Sequence, residues 1–209
     1  MRLFLSSYRF GNFDSGLLEI VGDNAQVGVI TNAKDYKSDG ERATSVKDLF
    51  HSFSEIGITP HEIDLRRYFG NTEDMALELD KYDFVWLAGG NTFVLRRALQ
   101  YSGADALITE RVRNDTLLYG GESAGAIIAT PTLKGVEFGD DPYIIPAGYV
   151  DEEVWDGLGL VPFCIVPHYE SGWEGDERMI ETLETEGLPY KTLTDTQVLI
   201  ISDDNEVAE

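Results

Sequence analysis

Apolar residues along the chain alternate between short continuous runs and longer stretches with helical spacing. The runs Gln26 to Thr31 and Phe84 to Ala88 are typical of strands that are buried on both faces of a parallel sheet. Between them, apolar residues recur every three or four positions from Asp39 to Ile56, which predicts an amphipathic helix that ends at Gly57. Strands alternating with helices at this spacing predict an α/β fold, a three-layer sandwich with a mostly parallel central sheet.

The same patterns predict the remaining elements. Further strands are expected at Arg2 to Ser6, Ile58 to Leu65, Leu117 to Tyr119 and Pro162 to Pro167, and two closing strands joined by a tight turn at Tyr190 to Thr194 and Gln197 to Ser202. Further helices are expected after Asp14 and Thr72, at Thr92 to Gln100, Ala104 to Arg113 and Ala124 to Ala129, and at Glu174 to Glu186. No repeat or linker divides the chain, so residues 1–209 are predicted to form one domain with a mobile acidic tail at residues 203–209.

A candidate nucleophile lies at the junction of a predicted strand and a predicted helix. Gly121-Glu122-Ser123-Ala124-Gly125 has the form G-x-S-x-G, and its position between a strand and a helix is the setting that this motif needs. Glycines allow the sharp turn, Ser123 would project from the sheet edge, and the N–H of Ala124 would point at an oxyanion. A glycine-serine turn that only begins a helix is the alternative.

Charge and composition argue against several classes of function. The net charge is −22, from 38 acidic and 16 basic residues, which opposes binding to nucleic acid or to anionic membranes. The N-terminus lacks the pattern of a signal peptide, which predicts a cytoplasmic protein. The single cysteine, Cys164, excludes an internal disulfide and lies in an apolar run, as a buried thiol would. Without zinc-binding motifs, we expect no metal and no cofactor. The oligomeric state stays open.

Several unusual residues follow predicted strands and should meet at the carboxyl edge of the sheet. Gly89 and Gly90 come after one strand, where their N–H groups could complete an oxyanion hole, although Asn91 or Thr92 could equally cap the next helix. His168 follows another strand and is the candidate general base, while a structural histidine is the alternative. A carboxylate that orients the imidazole is expected from the irregular segment of residues 134–159, which offers Glu137, Asp140, Asp141, Asp151, Glu152 and Glu153.

Three motifs, in their order along the chain, resemble those of the dipeptidase E and cyanophycinase group of serine peptidases. The fold of that group is flavodoxin-like and similar to that of the class I glutamine amidotransferases. They are Leu87 to Phe93 (LAGGNTF), Gly121 to Ala126 (GESAGA) and Pro167-His168-Tyr169. The resemblance covers residues 80–170 well. This chain departs from the family pattern at Ala88, where the family has glycine, and at Glu122, which places a carboxylate beside the nucleophile.

The resemblance implies roles for individual residues. Ser123 would be the nucleophile, His168 the base and Gly89, with Ala124, the oxyanion hole. The acid would be Asp140, or Asp141 if the motif register slips by one residue. Asn91 and Glu122 are predicted to contact substrate. Arg9 and Arg178 are predicted to bind its carboxylates, because a strongly acidic protein needs a cation to hold an anionic ligand.

These observations predict a serine peptidase that hydrolyses short peptides, with a preference for an acidic N-terminal residue implied by the resemblance. Two alternatives remain open at this point. One is a non-catalytic protein of the same fold that binds a small molecule through the same loops. The other is an esterase of the α/β-hydrolase type, which shares the elbow motif but would have a longer chain and a different oxyanion loop.

Overall fold

The computed structural model describes residues 1–22, 25–172, 175–202 and 205–208. Nine strands lie within this part: β1 (Leu3–Ser6), β2 (Gln26–Ile30), β3 (Thr59–Ile63), β4 (Phe84–Leu87), β5 (Leu118–Glu122), β6 (Cys164–Val166), β7 (Tyr190–Thr192), β8 (Val198–Ser202) and β9 (Asn205–Ala208). Seven α-helices accompany them: α1 (Asp14–Val21), α2 (Asp39–Glu55), α3 (Thr72–Leu79), α4 (Thr92–Ser102), α5 (Ala104–Arg113), α6 (Ala124–Ile128) and α7 (Gly175–Glu186). None of the helices described here is long and apolar enough to cross a membrane.

Seven of the strands form one sheet in the order β3-β2-β4-β5-β1-β8-β9. The first five strands of this order run parallel, while β8 and β9 are antiparallel to their neighbours. The predicted α/β fold with a mostly parallel central sheet is confirmed.

Side chains of each central strand point alternately into two apolar layers, as the pleat requires. In β1, Leu3 and Leu5 pack into the layer that contains α4 to α6, while Phe4 packs into the layer that contains α1 and α2. In β4, Trp86 joins the second layer and contacts Phe53 of α2 at a ring-centroid distance of 5.4 Å. Both faces of the sheet are therefore covered, which accounts for the continuous apolar runs of its strands.

The carboxyl ends of the three central strands lie level with one another. Ser6 at the end of β1 pairs with Glu122 at the end of β5, and Leu87 of β4 pairs with Gly121. The residues that follow these strands consequently meet at a single edge. This register is what brings the functional groups together.

The C-terminal third of the chain departs from the sequence-based prediction. Both predicted closing strands are present, as β7 and β8, but they belong to different sheets: β7 pairs in parallel with β6 in a separate two-stranded sheet, and β8 pairs with β1. Residues 205–208 of the predicted mobile tail instead form β9 on the sheet edge, which is a correction, while residues 203, 204 and 209 lie outside the described residues. Backbone pairing that involves distant residues leaves no mark in local periodicity.

The irregular segment of residues 134–159 is held against α4 by a buried arginine. The guanidinium of Arg97 donates hydrogen bonds to the carbonyl oxygens of Glu152, Ile144 and Pro142 at 2.8, 3.3 and 2.7 Å. Arg97 is 1% exposed, so these carbonyls replace the water that its charge would otherwise require. The segment therefore has a defined path over the sheet edge despite its lack of regular structure.

Candidate active site

Ser123 occupies a strained turn between β5 and α6. Its backbone has φ 50° and ψ −112°, a region that residues other than glycine rarely adopt. Two neighbouring glycines make the turn possible. A Cβ on Gly121 would lie 2.6 Å from the backbone of Gly125, and a Cβ on Gly125 would lie 2.0 Å from the carbonyl oxygen of Leu87. The elbow predicted from G-x-S-x-G is thus present, with α6 packed directly on β4.

Replacing Gly125 with alanine is expected to destabilise the protein by about 1 to 3 kcal/mol, because the new methyl group meets fixed backbone and forces α6 away from β4. The midpoint of urea unfolding measures this change. Gly40→Ala is the matched control, since Gly40 lies in α2 and a Cβ added there would have no atom within 4 Å. Equal stability of the two variants would contradict the close packing described for the elbow.

A continuous chain of hydrogen bonds connects Ser123, His168 and Asp195. The Nε2 atom of His168 lies 2.9 Å from Ser123 Oγ, and its Nδ1 atom lies 2.6 Å from Oδ1 of Asp195. An ionised carboxylate can only accept, which places the imidazole proton on Nδ1 and leaves Nε2 to accept the serine hydroxyl hydrogen. The arrangement has the geometry of a nucleophile, a base and an orienting acid.

Ser7, directly after β1, connects these hydrogen-bonded side chains to the central sheet. Its hydroxyl oxygen accepts the backbone N–H of His168 at 2.7 Å, and its hydroxyl donates to Asp195 Oδ1 at 3.0 Å. Ser7 is fully buried, and His168 itself has a positive φ of 59°. The fixed loop after β1 therefore helps to hold His168 in an unfavourable backbone conformation.

Asp140, the acid expected from the sequence, is placed elsewhere. Its Oδ2 accepts hydrogen bonds from the backbone N–H of Thr92 at 2.8 Å and from the Thr92 hydroxyl at 2.6 Å. Burial raises the pKa of the Asp140 carboxyl, and the two Thr92 hydrogen bonds oppose this rise. Asp140 does line a cavity with Ser123 and His168. The expected position beside Nδ1 is taken by Asp195, which corrects the predicted acid.

Asp141 and Asn91 both serve the local backbone. Oδ1 of Asp141 accepts the N–H of Tyr143 at 2.8 Å within its own turn. Oδ1 of Asn91 accepts the N–H of Val94 at 2.9 Å, which caps α4, and its Nδ2 donates to the carbonyl of Asp141 at 3.0 Å. Asn91 thus has the capping role that the sequence left open, and its side chain also ties the irregular segment to α4.

The residues predicted to supply the donors of an oxyanion hole lie beside Ser123. A Cβ on Gly89 would be 3.2 Å from Cβ of Ser123, and Gly90 has φ 145° with the carbonyl oxygen of Ala33 only 2.4 Å from its Cβ position. Glycine is therefore required at Gly90. Ala124 is the first residue of α6, where backbone N–H groups have no partner within the helix.

Glu122 is buried beneath these donors and is surrounded by positive charge. Its Oε2 accepts the backbone N–H of Arg9 at 2.8 Å, and its Oε1 lies 3.4 Å from the N–H of Gly89 and 3.9 Å from the Arg9 guanidinium. The Nζ of Lys34 donates to the Gly89 carbonyl. Burial lowers the pKa of the Lys34 ammonium, although Glu122 acts in the opposite direction. Glu122 therefore helps to position the loop after β1 and the Gly89 loop.

The two arginines predicted to bind substrate have different surroundings. Arg9 lines a cavity together with Ser123 and His168. Arg178 lies in the first half of α7, with its guanidinium 3.9 Å from the ring centroid of Phe138, two residues before Asp140. Arg9 thus lies in the surroundings of Ser123, whereas Arg178 stacks on the irregular segment.

Sequence reasoning missed Asp195, Ser7 and the lysines Lys34 and Lys37. Asp195 lies in the turn between β7 and β8, and the assumed chain order of serine, acid and histidine excluded every residue after His168. The available signal was a short acidic turn at Thr194-Asp195-Thr196 beside a strand end. Ser7, Lys34 and Lys37 stand in ordinary polar loops and carry no comparable signal.

Comparison with known proteins adds a second line of evidence to this geometry. The sequence model of peptidase family S51 matches residues 7–207. The chain belongs to peptidase family S51. It is accordingly a serine-type peptidase, and the predicted resemblance to the dipeptidase E group is confirmed.

Two similar proteins and one solved structure illustrate the relationship. An uncharacterised peptidase of Listeria innocua is 30% identical over 159 residues, or 76% of this chain and 73% of that protein. Peptidase E of Streptomyces coelicolor is 33% identical over 153 residues, or 69% of this chain and 59% of that protein. The crystal structure of a candidate peptidase E from Listeria monocytogenes superposes with a TM-score of 0.78 at 25% identity, covering 100% of this chain and 97% of that one.

Proposed function

We propose that this peptidase hydrolyses short peptides through Ser123, His168 and Asp195. The observation that carries the proposal is the unbroken path from Ser123 Oγ through the imidazole to Asp195, at 2.9 and 2.6 Å. Membership of a peptidase family supports amide hydrolysis as the reaction. The strained backbone of Ser123 and His168 supports the same assignment, since such strain concentrates at functional sites.

The geometry supports a two-step reaction. Ser123 Oγ attacks the scissile carbonyl carbon while His168 Nε2 takes the hydroxyl proton, and the resulting oxyanion accepts a hydrogen bond from the N–H of Ala124. The N–H of Gly89 is the second donor, once it exchanges its long hydrogen bond of 3.4 Å to Glu122 Oε1 for one to the oxyanion. The C–N bond then breaks, and His168 returns the proton to the leaving amine. In the second step a water molecule attacks the ester carbonyl of the acyl-enzyme, and the same imidazole takes its proton. This hydrolysis releases the acid product and restores Ser123. Asp195 stays ionised and stabilises the imidazolium in both steps.

Labelling with a serine-directed fluorophosphonate, followed by a screen of dipeptides and simple esters, tests this proposal. We expect one label on Ser123 and release of free amino acids from dipeptides. Absence of both labelling and turnover would favour a non-catalytic binding protein. Turnover of esters without turnover of any peptide would favour the esterase alternative.

We further propose that an acidic N-terminal residue is preferred and that Arg178 reads its side chain. Arg178→Ala is expected to lower the ratio of kcat/KM for a dipeptide with N-terminal aspartate to that of its asparagine counterpart by about tenfold, the effect of one charged hydrogen bond. The same ratio in Arg9→Ala serves as the comparison, because Arg9 lines the cavity that contains Ser123, His168, Lys34 and Lys37. An unchanged ratio in Arg178→Ala would remove this residue from substrate recognition.

A further inference from the structure

A cavity with a carboxylate opens on one side of the nucleophile. This carboxylate cavity measures about 390 Å³ and is lined by Ser123, His168 and Asp140. Both hydrogen bonds to the Asp140 carboxylate come from Thr92 and end on Oδ2. Among the described residues Oδ1 has no hydrogen-bond donor, and it is not among the fully enclosed polar atoms. Asp140 therefore offers an acceptor to whatever enters this cavity.

A second cavity shares Ser123 and His168 with the first and is lined by three cationic side chains. This cationic cavity measures about 350 Å³ and contains Arg9, Lys34 and Lys37 together with Ser123 and His168. The ammonium of Lys37 makes one long hydrogen bond, 3.4 Å to Ser45 Oγ, and is otherwise near the Tyr36 ring. Lys37 can consequently turn towards a ligand without losing a strong interaction.

Two carboxylates, Glu122 and Asp48, also line the cationic cavity. The Glu122 carboxylate already accepts hydrogen bonds from the backbone N–H groups of Arg9 and Gly89. These donors reduce its repulsion of an anionic ligand. Asp48 is exposed on α2. Cations still outnumber anions in this cavity, in a protein whose net charge is −22. Such a local reversal of sign indicates an anionic ligand.

We propose that the two cavities read the two charged ends of a dipeptide, with Asp140 binding the N-terminal ammonium and Lys37 and Arg9 binding the C-terminal carboxylate. This inference rests on the proposed peptidase function. It sets the direction of the substrate, since the N-terminal residue forms the acyl-enzyme in the carboxylate cavity and the leaving residue lies in the cationic cavity.

The same arrangement restricts the length of the substrate. Two residues in extended conformation span at most about 7 Å, and each additional residue adds about 3.5 Å. Both cavities begin at Ser123 and His168, so a dipeptide reaches both charged groups from a single position of its scissile bond. A tripeptide cleaved at its first bond moves its carboxylate away from Lys37 and loses that interaction.

Four substrates with the same side chains test the proposal: Asp-Leu, its N-acetyl form, its C-terminal amide, and the doubly blocked form. In the wild-type protein each block is expected to lower kcat/KM at least about tenfold, as loss of a charged hydrogen bond does. Lys37→Met should reduce the penalty for amidation and leave the penalty for acetylation. Asp140→Asn should reduce the penalty for acetylation and leave the penalty for amidation. Arg9→Gln should behave like Lys37→Met. Lys47→Met, an exposed lysine on α2, is the matched control.

The outcomes separate this inference from the function on which it rests. Turnover that is insensitive to both blocks, or penalties that persist in Lys37→Met and Asp140→Asn, would overturn the inference and leave the peptidase function intact. An equal fall in kcat/KM for all four substrates in Asp140→Asn would contradict the proposal that Asp140 binds the ammonium. Failure of wild-type protein to cleave any of the four would instead contradict the proposed function.

Calorimetry with Ser123→Ala protein supplies a readout that does not depend on turnover. Asp-Leu is expected to bind at least about tenfold more tightly than its C-terminal amide or its N-acetyl form, because only the free dipeptide satisfies both cavities. Introducing Lys37→Met into this protein should reduce the difference in affinity between the free acid and the amide, because Arg9 remains in the cavity. Equal affinity for all forms would overturn the proposal.

Discussion

Replacing Ser123 with alanine is expected to lower kcat/KM for dipeptides by a factor on the order of 10⁴ to 10⁶. The change removes the atom that attacks the carbonyl and takes away the hydrogen-bond partner of His168 Nε2, which lies 2.9 Å from it. Backbone donors and the two cavities would remain, so substrate should still bind. Steady-state kinetics measures the loss, and fluorophosphonate labelling should disappear with it.

The fold should survive this change. Alanine is no larger than serine, and the strained φ of 50° at Ser123 costs about the same for either residue. Circular dichroism and the urea midpoint therefore serve as controls, with Gly125→Ala as an example of an elbow substitution that does destabilise. Wild-type rates in Ser123→Ala protein would place the nucleophile elsewhere.

Replacing Asp195 with asparagine is expected to lower kcat by about 10³ to 10⁴ while changing KM little. An amide at this position can donate to Nδ1 and so stabilise the tautomer that carries its proton on Nε2, which cannot accept the serine hydrogen. The hydrogen bond of 2.6 Å from His168 Nδ1 and that of 3.0 Å from the Ser7 hydroxyl both end on the same Asp195 oxygen.

Two other aspartates provide the comparison for this prediction. Asp141→Asn should be nearly silent, because within the described part of the chain the Asp141 carboxylate accepts only the N–H of Tyr143, and its other contact, with Asn91, is made by its backbone carbonyl. Asp140→Asn should act mainly on substrates with a free amine. If Asp140→Asn instead lost activity towards all substrates to the extent expected of Asp195→Asn, Asp140 and not Asp195 would be the residue that supports the imidazole.

The elements that local patterns predicted are those whose residues face one environment throughout. Phe84 to Leu87 lie between two apolar layers, so every position is apolar, and α2 presents one face to the sheet, so its apolar residues recur at helical spacing. Ends of such elements are also local, as the capping box of Ser38 and Glu41 shows at the start of α2. Strand pairing is different, and β7 and β8 show why: neighbouring strands in sequence joined separate sheets.

The candidate site also contains residues that local sequence predicted and residues that it did not. Ser123, Gly121 and Gly125 are recognisable in the sequence because a sharp strand-to-helix turn imposes small residues at fixed spacing within five positions. His168 stands out as a histidine at a strand end. Asp195 has no such mark, since one carboxylate among many acidic residues acquires its role only from the position of its neighbours.

Sequence alone thus determined the α/β class of the fold, the elbow with Ser123, and the relationship to a peptidase family, because each of these depends on residues that are close in sequence or occur in a fixed order. Tertiary structure decided which acid meets the imidazole, how Ser7 fastens it, and which charges line the two cavities. The physical reason is that strand register and loop packing bring together side chains as distant as Ser7 and Asp195, 188 positions apart, whose contact no local pattern encodes.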